Sequence, residues 1–143
     1  MTKDVLLSIK GLYAEDNENK DSIECLAPAE FYEKNGVYYI FFEEFLDSNG
    51  VTKSRIKYQD NCFELTRKGN AASHLLFEDG KKTLNTYQTP YGTLVVGLDT
   101  KEIKLTESEE EMKFHIEYGM DVNYQQVSEN AIDIVIKSVN KSL

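Results

Sequence analysis

The sequence contains no tryptophan, two cysteines, two histidines and two prolines, and these scarcities narrow the field of explanations. Cys25 and Cys62 stand far apart and form no C-x-x-C pattern, and His74 and His115 are equally scattered. Zinc sites draw several Cys and His ligands from tight spacings, so no metal is expected. Glycine-rich phosphate loops are absent as well. No apolar run is long enough for a signal-peptide core or a membrane span, the first being Val5 to Ile9. The chain therefore reads as cytoplasmic, with no membrane contact. In that compartment both thiols stay reduced, and each is expected to act as a small buried side chain.

Basic charge is scarce too. Sixteen Lys and Arg stand against twenty-five Asp and Glu, a formal net charge of −9. The densest basic stretches, Lys53 to Lys57 and Arg67-Lys68, lie on strand-like segments and are followed by acids. Nucleic-acid surfaces need a basic stripe that displaces counterions, so no nucleic-acid partner is expected. The negative surface serves solubility.

What remains is a chain of 143 residues, 41% hydrophobic, with nine tyrosines and seven phenylalanines. That length suits one domain, residues 1–143. Folding at this size buries roughly 70% of the unfolded surface, so no staple is required.

Turn signals recur at Asn35-Gly36, Asn49-Gly50, Asp60-Asn61, Gly69-Asn70, Asp79-Gly80 and Pro90-Tyr91-Gly92. Such pairs supply the positive φ of tight hairpins. The segments between them alternate apolar and polar residues, as half-buried strands do. Met112, Phe114, Ile116, Tyr118, Met120 and Val122 share one face, and Ile132, Ile134 and Ile136 repeat the pattern. Val5, Leu7 and Ile9 do the same at the start. Val37 to Leu46 is almost continuously apolar and aromatic, which predicts a strand covered on both sides. Ala27-Pro28 reads as a proline-marked bulge. The expectation is an all-β, antiparallel, mostly up-and-down fold of about eight to ten strands, with closure favoured because it removes exposed edges.

Several segments resemble the YwiB-like family, small bacterial proteins of unknown function. They are Phe31 to Gly36 with Tyr38-Tyr39, Arg67-Lys68-Gly69, Phe77 to Gly80, Tyr87 to Gly92, and Thr100-Lys101. Their order and spacing cover most of the chain. Gln88 stands where that family often has Glu. The resemblance implies a calycin-like barrel, similar to lipocalins and fatty-acid-binding proteins. It implies no catalytic residue and no cofactor.

One polar constellation falls on otherwise apolar faces. Arg67 shares a strand face with Phe63 and Leu65, and one of Glu43 and Glu44 must face the same interior. The expectation is an inward Arg67 paired with one of these two carboxylates, the sequence leaving open which, with Glu44 taken as the site candidate. Either the pair plugs one end of the barrel, or Arg67, Glu44, Tyr87 and Thr89 hold the head of a small, partly apolar, anionic ligand. Its tail would then lie against Tyr39, Phe41 and Phe114. An arginine fork suits carboxylate or phosphate, and apolar pockets with few polar anchors are ordinary. The alternative is a side-chain-filled barrel acting as an interaction module. Tyr13, Tyr58, Tyr91 and Tyr124 near strand ends are its candidates, and a monomer and a homodimer both fit. A small hydrolase-like enzyme comes third, because His115 faces away from the apolar side and His74 has no paired nucleophile.

Overall fold

A computed structural model describes residues 1–11, 24–45, 51–68, 72–89 and 91–139. Ten strands run in chain order: β1 (Asp4–Lys10), β2 (Glu24–Lys34), β3 (Val37–Phe45), β4 (Val51–Gln59), β5 (Cys62–Lys68), β6 (Ser73–Glu78), β7 (Lys82–Thr89), β8 (Gly92–Glu107), β9 (Glu111–Val122) and β10 (Gln125–Ser138). Each pairs antiparallel with its sequence neighbours, and β1 pairs with β10 to close the barrel. The expected all-β meander is therefore closed.

Hairpin chemistry sets the register at one end. Asn35 and Gly36 both have positive φ, as do Asp60 and Asn61, which is the geometry that two-residue turns demand. Asn123 and Tyr124 make a similar turn between β9 and β10 without any glycine, a turn that residue type alone does not announce. The expected turns at Asn49-Gly50 and Gly69-Asn70, with Pro90, lie outside the described residues. Pro28 causes no bulge: β2 keeps an unbroken register with β1 through it. It sits just before pairing with β3 begins at Ala29, where the strand is laddered on one side. The register shifts fall instead at Thr100/Glu102 in β8 and Gln126/Ser128 in β10.

Alternation then fills the interior. Val5, Leu7 and Ile9 of β1, Met112 to Tyr118 of β9 at alternate positions, and Ile132, Ile134 and Ile136 of β10 join one continuous core. Across β3 to β6 the inward residues form three tiers. Tyr38, Tyr58, Phe63 and Phe77 make an aromatic tier at the end where the short hairpins lie. Ile40, Ile56, Leu65 and Leu75 make an aliphatic tier above it, and Phe42, Ser54, Arg67 and Ser73 a polar one.

The aromatic tier belongs to a longer file of rings running Phe31, Tyr38, Tyr58, Phe114, Phe63, Phe77 and Tyr118, with successive centroids 4.9 to 6.3 Å apart. Edge-to-face and offset pairs of this kind add about 0.5–1.5 kcal/mol each beyond the area they bury. Along this file the barrel is packed with its own side chains, as narrow barrels can be.

Candidate functional site

The polar tier is built by strand parity. In β4, Ile56 points inward, so Ser54 and Thr52 must do so too, and both are buried. In β5 the same rule carries Arg67 inward behind Phe63 and Leu65, and it is 5% exposed. In β3, Tyr38, Ile40 and Phe42 place Glu44, rather than Glu43, inside. The Glu44 carboxylate accepts a hydrogen bond from Arg67 Nε at 3.0 Å and another from Ser54 Oγ at 2.7 Å. Buried charges persist only when paired and hydrogen-bonded in this way. Two further buried hydroxyls, Thr52 Oγ1 and Ser73 Oγ, have no hydrogen-bond partner. Thr52 pairs in register with Glu44, and Ser73 with Arg67.

Of the other residues expected around Arg67, Tyr87 is half-buried against the core and pairs in register with Ser73. Thr89 pairs its backbone with Gly92, and its side chain lies outside the described residues. The expected apolar tail site does not assemble. Tyr39 and Phe41 have the opposite parity to Ile40 and Phe42, so they stand on the outer wall, Phe41 being 41% exposed. The continuous apolar run of β3 is therefore not covered on both sides. Phe114 does point inward, but it packs on Tyr58 and Phe63 in the aromatic file. Phe63 lies four residues along β5 from Arg67.

The outer wall over β1 to β4 has its own organisation. Tyr32, Tyr39 and Phe41 pack together, Tyr32 edge-on to Phe41 at 5.8 Å and Tyr39 stacked on Phe41 at 6.5 Å. Leu6 and Leu26 are exposed on the adjoining strands. The next strand presents the basic stretch. Tyr39 pairs with Lys57, Phe41 with Arg55 and Glu43 with Lys53. An aromatic stripe and a basic stripe thus run side by side on a chain of net charge −9. Sequence reasoning noted both segments but not their adjacency, which depends on register.

Both histidines lie on the outside. His74 meets Glu64 at 3.1 Å, and Arg55 meets the same carboxylate at 2.8 Å. Burial opposes the charge on Glu64, yet His74 and Arg55 together hold its carboxyl below the usual range. His115 meets Asp133 at 2.6 Å, and that hydrogen bond raises its pKa. Neither histidine reaches the polar tier.

Cys25 and Cys62 are only half-buried, not enclosed as expected. Burial, followed by the charges of Glu78 and Glu64, pushes the Cys62 thiol up and away from thiolate chemistry. Tyr58 is also misplaced by the sequence reading, since it joins the core file rather than a rim. Tyr91 and Tyr124 are exposed, and Tyr13 lies outside the described residues. Among the described residues no three His, Cys, Asp or Glu side chains gather as a metal site. No helix among them is long and apolar enough to cross a membrane.

The fold is similar to the crystal structure of the ywiB protein from Bacillus subtilis, with a TM-score of 0.77 and 23% identity over 96% of this chain and 93% of that one. No curated protein matches the sequence. The family described as "Domain of unknown function (DUF1934)" matches residues 7–134, and the chain belongs to that family.

Proposed function

We propose that the chain is a non-enzymatic interaction module whose working surface is the outer wall of β2 to β4. The observation that carries this reading is the pairing of the outward Tyr39–Phe41 stripe, half-buried at Tyr39 and exposed at Phe41, with the Lys57–Arg55 stripe beside it. Interfaces are enriched in Tyr, Phe and Arg, and exposed aromatic groups of this kind mark contact surfaces. The basic stripe sets the partner's chemistry. A protein surface combining acidic and apolar side chains complements it. The aromatic file that packs one end of the interior supports the same assignment, since it leaves less room for recognition inside.

The test is a photo-crosslinking residue placed at Phe41 in the native cells, followed by affinity measurement with the purified partner. The expected partner is acidic at the contact, binding weakens with salt, and Lys57→Glu loses about tenfold or more in affinity. Crosslinks to a second copy of the chain alone, or affinity indifferent to both salt and Lys57→Glu, would overturn the reading.

A second reading, binding of a small ligand at the polar end, rests on the unpartnered hydroxyls of Thr52 and Ser73 beside Arg67 and Glu44. The expected calycin-like character of the barrel would favour this reading. Because Glu44 already balances the Arg67 charge, the tier favours an uncharged, hydroxyl-bearing molecule over an anionic one. Native mass spectrometry of the protein from its own cells tests it. A bound mass lost in Ser73→Ala supports it, and a clean apo mass removes it.

A further inference from the structure

The barrel end opposite Arg67 carries a cleft of about 450 Å³ lined by Lys3, Phe31, Tyr32, Tyr38, Glu107 and Met112, with Glu33 at its side. That volume lies in the range of small-molecule pockets. Its floor is the end of the aromatic file: Phe31 and Met112 are buried, and Phe31 packs against Tyr38 at 5.5 Å. Tyr38 in turn stacks on Tyr58, so the floor is backed by core rings and held in place.

The rim is acidic. Glu33 comes from the end of β2, and Glu107 from the end of β8. Tyr38 and Glu107 both line the cleft, and Glu107 raises the pKa of the Tyr38 hydroxyl, which sets a carboxylate beside the aromatic floor. A cation is already drawn to this corner: the Lys3 ammonium stands 5.7 Å from the Tyr32 ring centroid and 3.5 Å from Glu30. Aromatic faces attract cations through their quadrupole, and carboxylates at the edge add direct attraction. Rings and carboxylates therefore converge on one cleft, and Tyr32 with Glu30 beside it already holds the chain's own lysine. We infer that this cleft binds an organic cation, an alkylammonium or guanidinium group, between the Phe31–Tyr38 floor and the carboxylates of Glu33 and Glu107.

The group could belong to a free amine or to a Lys or Arg side chain of a peptide, and the probes separate the two. The test is an NMR titration of the whole chain with n-butylammonium and n-butylguanidinium, with 1-butanol as the neutral counterpart. A short Lys- and Arg-containing peptide forms the last arm. The expected result is saturable shifts at Phe31, Tyr38 and Met112 with the cations and none with 1-butanol. Glu107→Gln is expected to weaken cation binding about fivefold, the effect of losing one carboxylate contact of about 1 kcal/mol. Tighter binding of the peptide than of the alkyl cations assigns the site to a side chain, and equal or weaker binding assigns it to a free amine. The inference is overturned by equal shifts with 1-butanol. It is also overturned by cation shifts spread over the Asp60–Asp79 side of the same barrel end, or by Glu107→Gln binding as well as the wild type. Unchanged amide spectra elsewhere in Glu107→Gln confirm that the variant is folded when it is compared.

Discussion

Glu44 Oε1 and Arg67 Nε lie 3.0 Å apart on β3 and β5, across the intervening β4, and Ser54 on that strand donates to the same oxygen. Two charges are thereby removed from water inside a barrel wall, and each helps to compensate the other. Removing one partner is expected to cost about 3–5 kcal/mol, because the other is left buried and charged. Urea unfolding of Arg67→Ala and Glu44→Ala measures this. The double variant Arg67→Met with Glu44→Leu is expected to recover most of the loss, since apolar groups of similar volume need no partner. Single variants within about 1 kcal/mol of wild type would show that the pair is solvated.

The seam between β6 and β7 is joined by side chains as well as backbone. Its register is Ser73 with Tyr87. Further along, Leu76 N donates to Asn85 Oδ1 at 2.9 Å, and Thr83 Oγ1 donates to the Leu76 carbonyl. Asn85 Nδ2 also donates to the Val96 carbonyl at 3.3 Å. Asn85→Ala is expected to destabilise the protein by about 1–3 kcal/mol, the cost of leaving buried polar groups unmet. Hydrogen exchange is expected to accelerate at the Leu76 amide before the β8–β9 ladder. Uniform acceleration across all strands would contradict a local seam.

Two tyrosines are expected to titrate late. The Tyr38 hydroxyl is pushed up to about 12 by its hydrogen bond to Glu107 and then by burial. Burial alone pushes Tyr118 to about 12. In the unfolded chain both return to about 10. Between those values the folded protein binds more protons than the unfolded one, so stability falls as pH rises. This contribution is fully present below pH 10 and lost as pH climbs through the folded values. Tyrosinate absorbance is expected to show a late phase that shrinks in Tyr38→Phe and in Tyr118→Phe. A single phase near the ordinary tyrosine value would disprove the burial of Tyr118.

Gly11 follows β1 with a φ of +96°, and a Cβ there would meet the Ala131 carbonyl oxygen at 2.1 Å. Neither the backbone conformation nor the space admits a side chain. Gly11→Ala is expected to cost about 1–3 kcal/mol from strain at that position, read by thermal unfolding. A neutral result would mean that the β1 terminus can move away from β10.

Much of the architecture is written locally. The alternation in Met112 to Val122, Ile132 to Ile136 and Val5 to Ile9 is a property of neighbouring residues. A strand's period of two decides facing wherever one face is clearly apolar. Turn pairs such as Asn35-Gly36 and Asp60-Asn61 then fix hairpins through φ. Arg67 was legible for the same reason, because Phe63 and Leu65 fix its parity.

Where both faces are apolar, parity has nothing to read. In Tyr38 to Phe42 every residue is hydrophobic, so inward Ile40 and Phe42 could not be told from outward Tyr39 and Phe41 by composition. Likewise, Thr52 and Ser54 were not singled out, although their parity with Ile56 was available in β4. Closure and register decided the rest. They turned isolated aromatics into a packed file, set Glu44 against Arg67, and laid the basic stripe of β4 beside the aromatic stripe of β3. Such relations join residues on different strands, and only the pairing of those strands brings them into contact.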